Sequence, residues 1–355
     1  MKKYLLIILS ALFINACISS NEQKVDKLFS EYTGNNPGAS VIVIIKGKTE
    51  LKKSYGLADL EKKTKVDSTT NFRLASLTKQ FTAMCIMMLV EREKLKYENT
   101  LTEIFPEFPE YGKKITITQI LQHTSGLIAY ESLLADSVTI QVSDAQVLQM
   151  MISQDSTYHV PGSKYRYSNS GYAILAMIIE KISKKPFAQF LQENIFRPLK
   201  MNNTIAYEKG ISLVPNRAYG YKIVEPDAKI DSSFIFGDQS RTSAVLGDGG
   251  IYSSVEDLFK WDQALYSEKL VSKESLQKAW TPAVVIDSPD NIYGFGWRID
   301  QLEGHRRLHH NGSTSGFRNS IQRFPEDLLT IIVLTNRNKP SVFSLVEKIA
   351  GIYLN

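Results

Sequence analysis

Ser76-Leu77-Thr78-Lys79-Gln80-Phe81-Thr82-Ala83-Met84-Cys85-Ile86-Met87-Met88-Leu89-Val90-Glu91 runs without a glycine or a proline. It is apolar around most of its circumference, so the pattern predicts a helix from about Leu77 to Glu91 that is buried on most of its surface. At its head Ser76 and Lys79 stand three residues apart. On a helix that spacing brings a hydroxyl and an amine to one face, within reach of each other. The pair is a nucleophile with a base beside it. Partial positive charge at the helix start disfavours the protonated amine, and a lysine must be unprotonated to accept a proton. Ser275-Leu276-Gln277-Lys278 repeats the spacing, but it lies among the alternating charges of Ser272 to Lys278 and reads as a solvated face. Cys85, inside the apolar run, is expected to be a buried and inert thiol.

Outward from this helix the pattern changes. Ala39-Ser40-Val41-Ile42-Val43-Ile44-Ile45 and Glu50 to Gly56 read as two strands of a hairpin turning at Lys46-Gly47-Lys48. Near the other end, Tyr293 to Arg298, Arg307 to His310, Phe317 to Phe324 and Leu328 to Leu334 read as four short strands, and Pro340 is expected to open a last helix through Tyr353. Between them Thr118 to Gln122 and Gly171 to Ile182 have helical spacing; in the second, Tyr172, Leu175, Ile178, Ile179 and Ile182 recur every three or four residues. Strands near both termini with helices between them imply the α+β class, with one sheet drawn from both ends of the chain and a helical subdomain inserted in the middle. No period of 20 to 50 residues is present.

Two further segments carry chemistry. Tyr167-Ser168-Asn169 offers a phenol able to relay protons and an amide able to orient a substrate, held between Pro161-Gly162-Ser163 and the helix that Ser170-Gly171-Tyr172 opens. His310-Asn311-Gly312 is expected at a strand end. There Gly312 would let a substrate backbone approach, and the N–H of Ser313 would join that of Ser76 as two donors to an oxyanion. The other reading of this segment is a hairpin turn rich in small residues.

Ser-x-x-Lys, Tyr-x-Asn and His-x-Gly in this order resemble the serine β-lactamase and penicillin-binding-protein superfamily, in its class C β-lactamase and D-alanyl-D-alanine carboxypeptidase branch. The likeness continues through Pro106-Glu107-Phe108, Leu121-Gln122-His123-Thr124-Ser125-Gly126-Leu127, Arg197-Pro198-Leu199-Lys200-Met201-Asn202-Asn203-Thr204, Gly249-Gly250-Ile251-Tyr252-Ser253-Ser254 and Tyr293-Gly294-Phe295-Gly296-Trp297, across nearly all of residues 30–350. It implies a β-lactamase/DD-peptidase-like fold: an antiparallel β-sheet flanked by helices, beside an all-helical subdomain, with the active site in the cleft between them. On that scheme residues 30–355 form one catalytic domain, with a sheet subdomain of about 30–95 and 245–355 and a helical subdomain of about 96–244.

The resemblance also implies roles. Ser76 would be acylated and Lys79 would be its base. Tyr167 would exchange protons with the serine and the leaving group, and Asn169 would bind Lys79 and the substrate amide. His310 and Gly312 occupy the family's Lys-Thr-Gly positions. A histidine there is mostly neutral at pH 7, which weakens a fixed charge for a substrate carboxylate and points away from a dedicated β-lactamase; Arg298 or Arg318 is expected to supply the lost charge. Ser125 lacks a strand-to-helix elbow and is expected to serve a turn or cap. On a strand His309 and His310 face opposite ways and no carboxylate is adjacent to them, so neither a metal nor another cofactor is expected. No acidic deacylating base is placed by the sequence.

The full chain of 355 residues has 42 Lys+Arg, 37 Asp+Glu and 43% hydrophobic residues, the balance of a folded protein, and its formal charge of +5 is spread too thinly to imply nucleic acid. Lys2 and Lys3 precede an apolar run from Tyr4 to Ile14, and Ile14-Asn15-Ala16-Cys17 follows. Residues 1–16 read as an export signal of lipoprotein type, with Cys17 as the lipidated residue and 17–29 as a tether; a plain secretory signal is the alternative. Losing residues 1–16 removes two lysines and no acid, which lowers the formal charge from +5 to +3. The expectation is an exported serine hydrolase of the periplasm or cell envelope, touching membrane only through its lipid. It would act on a small-molecule or peptide substrate, whether a D-alanyl peptide, an ester or a β-lactam. A carboxylesterase of the same fold and a penicillin sensor that acylates without turnover are the alternatives.

Overall fold

The computed structural model describes residues 21–224, 233–285 and 292–354. Cys17 and the segment 1–16 lie outside the described residues.

A six-stranded sheet is built from both ends of the chain. Its strands are β1 (Ala39–Ile45), β2 (Lys48–Tyr55), β3 (Arg298–Leu302), β4 (His305–Thr314), β5 (Phe317–Phe324) and β6 (Leu329–Thr335), in the order β3-β4-β5-β6-β1-β2 with every pair antiparallel. Closure depends on β1 pairing with β6, from Ala39 opposite Thr335 to Ile45 opposite Leu329. The β1–β2 hairpin turns where expected: Lys46 and Gly47 have φ of 51° and 74°, the left-handed pair that suits the twist of a two-residue turn.

Period-two alternation splits the sheet's apolar residues between two cores. Val41, Val43, Ile331 and Val333 face one side with Val346 and Ile349 of α5 (Val342–Tyr353). Ile42, Ile44, Ile332 and Leu334 face the other, with Phe81, Met84 and, from α4 (Val255–Ala264), Trp261. On that inner side lies α2 (Thr78–Glu91), buried everywhere except Val90 and Glu91, as its composition predicts. Beyond it stands α3 (Asn169–Ser183) of the inserted segment, whose helices open on capping boxes at Thr100, Thr116 and Ser143. Cys85 is free and buried within α2, and burial raises its thiol pKa.

Four expectations are corrected. Residues 21–28, placed in the tether of 17–29, form a helix, α1, and Val25 and Phe29 are fully buried against the outer face of the sheet. The inserted segment is not wholly helical: Ile205–Ala206 pairs with Ile251–Ser253, and Tyr221–Ile223 with Phe234–Phe236. Tyr293 to Trp297 is not a strand; a Cβ on Gly294 would lie 2.1 Å from the Ala279 carbonyl, and Gly296 has φ +76°, so both glycines serve close packing and β3 begins only at Arg298. The last helix starts at Val342 on the cap residue Ser341 rather than at Pro340.

Candidate active site

Ser76 lies in a 3₁₀ turn, Ala75–Leu77, one step before α2. Ala75 has φ 51°, a strained value for a residue with a Cβ, and the chain just before it is pinned: Leu74 N–H donates to Ile251 O at 2.8 Å and Asn319 Nδ2 to Arg73 O at 2.8 Å. Gly312 fits against this turn. A Cβ there would meet Leu74 O at 2.1 Å, so the glycine admits the nucleophile's own backbone rather than a substrate's, which corrects the expectation for it. His310 to Gly312 lies inside β4, not at its end; the two-residue turn comes later, at Ser315 and Gly316.

Lys79 is fully buried. Its Nζ donates to Asn169 Oδ1 and to the backbone oxygen of Asp248, both at 2.8 Å, and lies 3.2 Å from Ser76 Oγ. With two N–H bonds held by carbonyl oxygens, the remaining tetrahedral direction of Nζ is the one that faces the serine hydroxyl. Sequence spacing foresaw the Ser76–Lys79 contact; α3 supplies Asn169 as its first residue, after Ser168 caps the helix by accepting from Gly171 N–H at 3.2 Å. Ser275, which shares the spacing, donates instead to Glu91 at 2.6 Å.

Glu131 and Asp248 were not foreseen. Asn169 Nδ2 donates to Glu131 Oε1 at 2.6 Å, so this one amide links Lys79 to a carboxylate. Tyr130 O–H donates to Asp248 Oδ2 at 3.2 Å. Burial pushes the Asp248 carboxyl up to about 6, with Lys79 opposing that shift and Glu131 adding to it. Arg73, Ser76, Tyr130, Glu131, Asn169, Asp248, Ser313 and Thr314 are among the residues enclosing one cavity. Neither acid stands in a periodic pattern that would announce it; Asp248 directly precedes the quoted Gly249-Gly250.

Tyr167 lies beside this cavity, with Lys79 Nζ 5.0 Å from its ring centre. Its ring is 4.2 Å from that of His123, 6.0 Å from Tyr293 and 6.3 Å from His310. His310 faces inward and His309 outward to Asp300 and Phe343, as strand alternation requires. His310 Nδ1 lies 2.8 Å from Asn311 O, which can only accept, so this nitrogen carries the proton and Nε2 accepts from Tyr293 O–H at 2.8 Å. Burial, with Lys79 adding to it, holds the His310 imidazole well below its usual range and therefore neutral.

Arg318 is not brought to Ser76. Paired with Ser313 across β4 and β5, it projects to the outer face, where its guanidinium donates to Phe317 O at 2.7 Å and Ser315 O at 3.3 Å. It lines a second cavity with Asn338, Ser341 and Phe343, which shares Ser313 with the cavity at Ser76. Arg318 thus faces away from Ser76, on the other side of the strand that carries His310 to Ser313. Arg298 is nearer, over the rings of Tyr293 and Tyr167 at 5.7 and 5.9 Å. Ser125 has a turn role: its Oγ accepts from Leu127 N–H at 3.4 Å. Among the described residues no cluster of His, Cys, Asp and Glu suits a metal ion.

The family model described as Beta-lactamase matches residues 25–351. The chain belongs to the beta-lactamase family. Penicillin-binding protein 4* of Bacillus subtilis is 34% identical over 303 residues, which cover 82% of this chain and 66% of that protein. Protein flp of Staphylococcus aureus strain N315 is 28% identical over 337 residues, covering 93% of this chain and 66% of the relative. The chain thus spans just under two thirds of the length of these curated relatives. Among solved structures, the octameric penicillin-binding protein homologue from Pyrococcus abyssi superposes with a TM-score of 0.78 at 25% identity, over 95% of this chain and 77% of that one. The D-amino acid amidase from Ochrobactrum anthropi SV3 shares the family fold at a TM-score of 0.79 and 20% identity, over 95% and 99% of the two chains.

Proposed function

We propose that this member of the family is a serine hydrolase that opens amide bonds through an ester on Ser76. The observation that carries the reading is the Lys79 amine, buried and aimed at Ser76 Oγ at 3.2 Å by two fixed carbonyl oxygens. Ser76 Oγ attacks the carbonyl carbon as its proton passes to Lys79 Nζ. The tetrahedral oxyanion is received by the N–H groups of Ser76 and Ser313. Thr314 opposes Phe317 as the closing pair of a two-residue turn, so the N–H of Ser313 points away from β5, toward the open edge of β4. Lys79 hands the serine's proton on through Tyr167 to the departing amine, and water then attacks the ester, giving up a proton that the same groups return to Ser76 Oγ as the acid product leaves. Glu131 lies on the cavity that holds Ser76, bound to Asn169.

Relatives named as penicillin-binding proteins and a D-amino acid amidase support a peptide or amino-acid amide as substrate, and export to the cell envelope belongs to the same reading. Within that class the neutral His310 and the Glu131 carboxylate favour an acyl group carrying a free amine over a peptide with a C-terminal carboxylate. Lipid anchoring at Cys17 belongs to the same proposal; no helix among the described residues is long and apolar enough to cross a membrane.

The test is covalent labelling by a fluorescent penicillin or a fluorophosphonate, followed by a panel of nitrophenyl esters, a D-Ala-D-Ala peptide and a chromogenic cephalosporin. Ser76→Ala should abolish labelling, and a label that persists on the variant would refute the assignment. Turnover of esters alone would favour a carboxylesterase. A stable stoichiometric adduct without turnover would favour a sensor.

A further inference from the structure

Tyr167 carries a proton-transfer role, yet it sits on a loop, and a phenol can serve two proton transfers only if it is held in place. The grip comes from His123, in the His123-Thr124-Ser125-Gly126 segment that the reaction does not otherwise use. The backbone of this segment receives the loop stepwise: Tyr158 N–H donates to Gly126 O, Gly162 N–H to Thr124 O and Arg166 N–H to His123 O, each at 2.8 Å. The residue after the tyrosine, Ser168, donates its backbone N–H to His123 Nδ1 at 3.1 Å. His123 therefore holds the chain immediately before and immediately after Tyr167, while its ring centre lies 4.2 Å from that of Tyr167.

A backbone N–H can only donate, so Nδ1 must be bare and the ring proton must sit on Nε2. Nε2 is buried and has no hydrogen-bond partner among the described residues, so Nδ1 alone carries the polar grip. The imidazole is fully buried and faces Lys79 and Arg298, the His310 ring and the phenols of Tyr165, Tyr167, Tyr172 and Tyr293. Burial, with Lys79, His310 and Arg298 adding to it, holds its pKa well below the usual value, so the accepting form is the one present at neutral pH.

We infer that His123 is the positioning residue of Tyr167, holding the phenol beside Lys79 by accepting the Ser168 N–H at Nδ1 and packing its ring on the tyrosine. The inference rests on the acyl-transfer reading of the site and adds to it the residue through which the phenol is aimed.

Three variants of the full-length protein test it. Asn at 123 puts Oδ1 where Nδ1 stands and tolerates the φ of 57° found there. Gln carries its polar end one bond farther, and Leu has none. With an anilide, whose amine needs a proton to leave, His123→Gln and His123→Leu should lose about 10²-fold in kcat, the scale of one general acid. With a nitrophenyl ester, whose phenolate leaves unaided, the same variants should lose several-fold less, and His123→Asn should stay within about tenfold of wild type on both. Equal losses on anilide and ester, or an Asn variant as poor as Gln, would overturn the inference, because a purely structural role predicts both. Nitrogen-15 NMR of the wild-type ring decides the grip without turnover: a neutral ring protonated on Nε2 between pH 6 and 8 is expected, and a proton on Nδ1 would overturn it. Absent labelling at Ser76 would instead remove the acyl-transfer reading and leave the NMR result standing.

Discussion

At the scale of single residues, Asn169 and Glu131 show how the site sets charge. Asn169 presents its oxygen to Lys79 and its nitrogen to Glu131, so replacing it would disturb an amine and a carboxylate together. Glu131→Gln separates two roles that the carboxylate could have. If its charge receives a substrate amine, the variant should lose roughly tenfold in kcat/KM on an amino-acid amide, about the worth of one hydrogen bond to a charged group, and much less on the N-acetylated amide. Equal losses on both would mean that Glu131 acts only by holding Asn169. Arg318 offers the contrast: it has the right charge, but strand alternation turns it to the outer face.

At the scale of elements, β3, β4 and α5 are joined by one charged network. Arg307 donates to both oxygens of Asp300 at 2.8 Å and to Glu347 of α5 at 2.8 Å, while His309 Nε2 lies 3.2 Å from Asp300. Burial alone would raise the Asp300 carboxyl, but the hydrogen bonds from Arg307 and His309 outweigh it and hold the group well below the usual carboxylate range. A carboxyl with a depressed folded pKa contributes stability that is present above its unfolded value, near 4, and is lost as pH falls through the folded value. Asp300→Asn should therefore cost about 1–3 kcal/mol at pH 7, and the deficit should shrink as pH falls below about 4. Denaturant titrations at pH 7 and pH 3 check this; a deficit that is constant across the range would show that the charge is not the cause.

At the scale of the whole molecule, distant parts of the chain are held at single points. Asn336, beyond β6, accepts from Gly38 N–H at 2.6 Å and donates to the carbonyls of Leu57, Ala58 and Tyr219, tying both ends of the chain to the inserted segment. The helix of residues 21–28 closes the outer core, and Phe29, just after it, stacks on Tyr55 at 4.7 Å. Phe29→Ala should cost about 3–5 kcal/mol by emptying a buried site. Chemical denaturation measures it, and a change below about 0.5 kcal/mol would return this stretch to the status of a tether.

What could be read from the sequence was what short-range spacing determines. Ser76 and Lys79 lie within one helical turn, the β1–β2 hairpin closes on adjacent residues, and the apolar run of α2 announces its own burial. The order of three motifs then carried the family and its fold. What the sequence did not disclose depends on contacts between segments far apart in the chain. Residues 21–29 look polar because Val25, Leu28 and Phe29 are few, yet they find an apolar sheet face to cover. Gly312 reads as room for a substrate until Leu74, from the other end of the chain, fills the space. Glu131 and Asp248 have no periodic partners and become part of the site only where loops converge on Ser76. Spacing along a helix or strand fixes which residues share a face; only the packing of one element on another decides what that face meets.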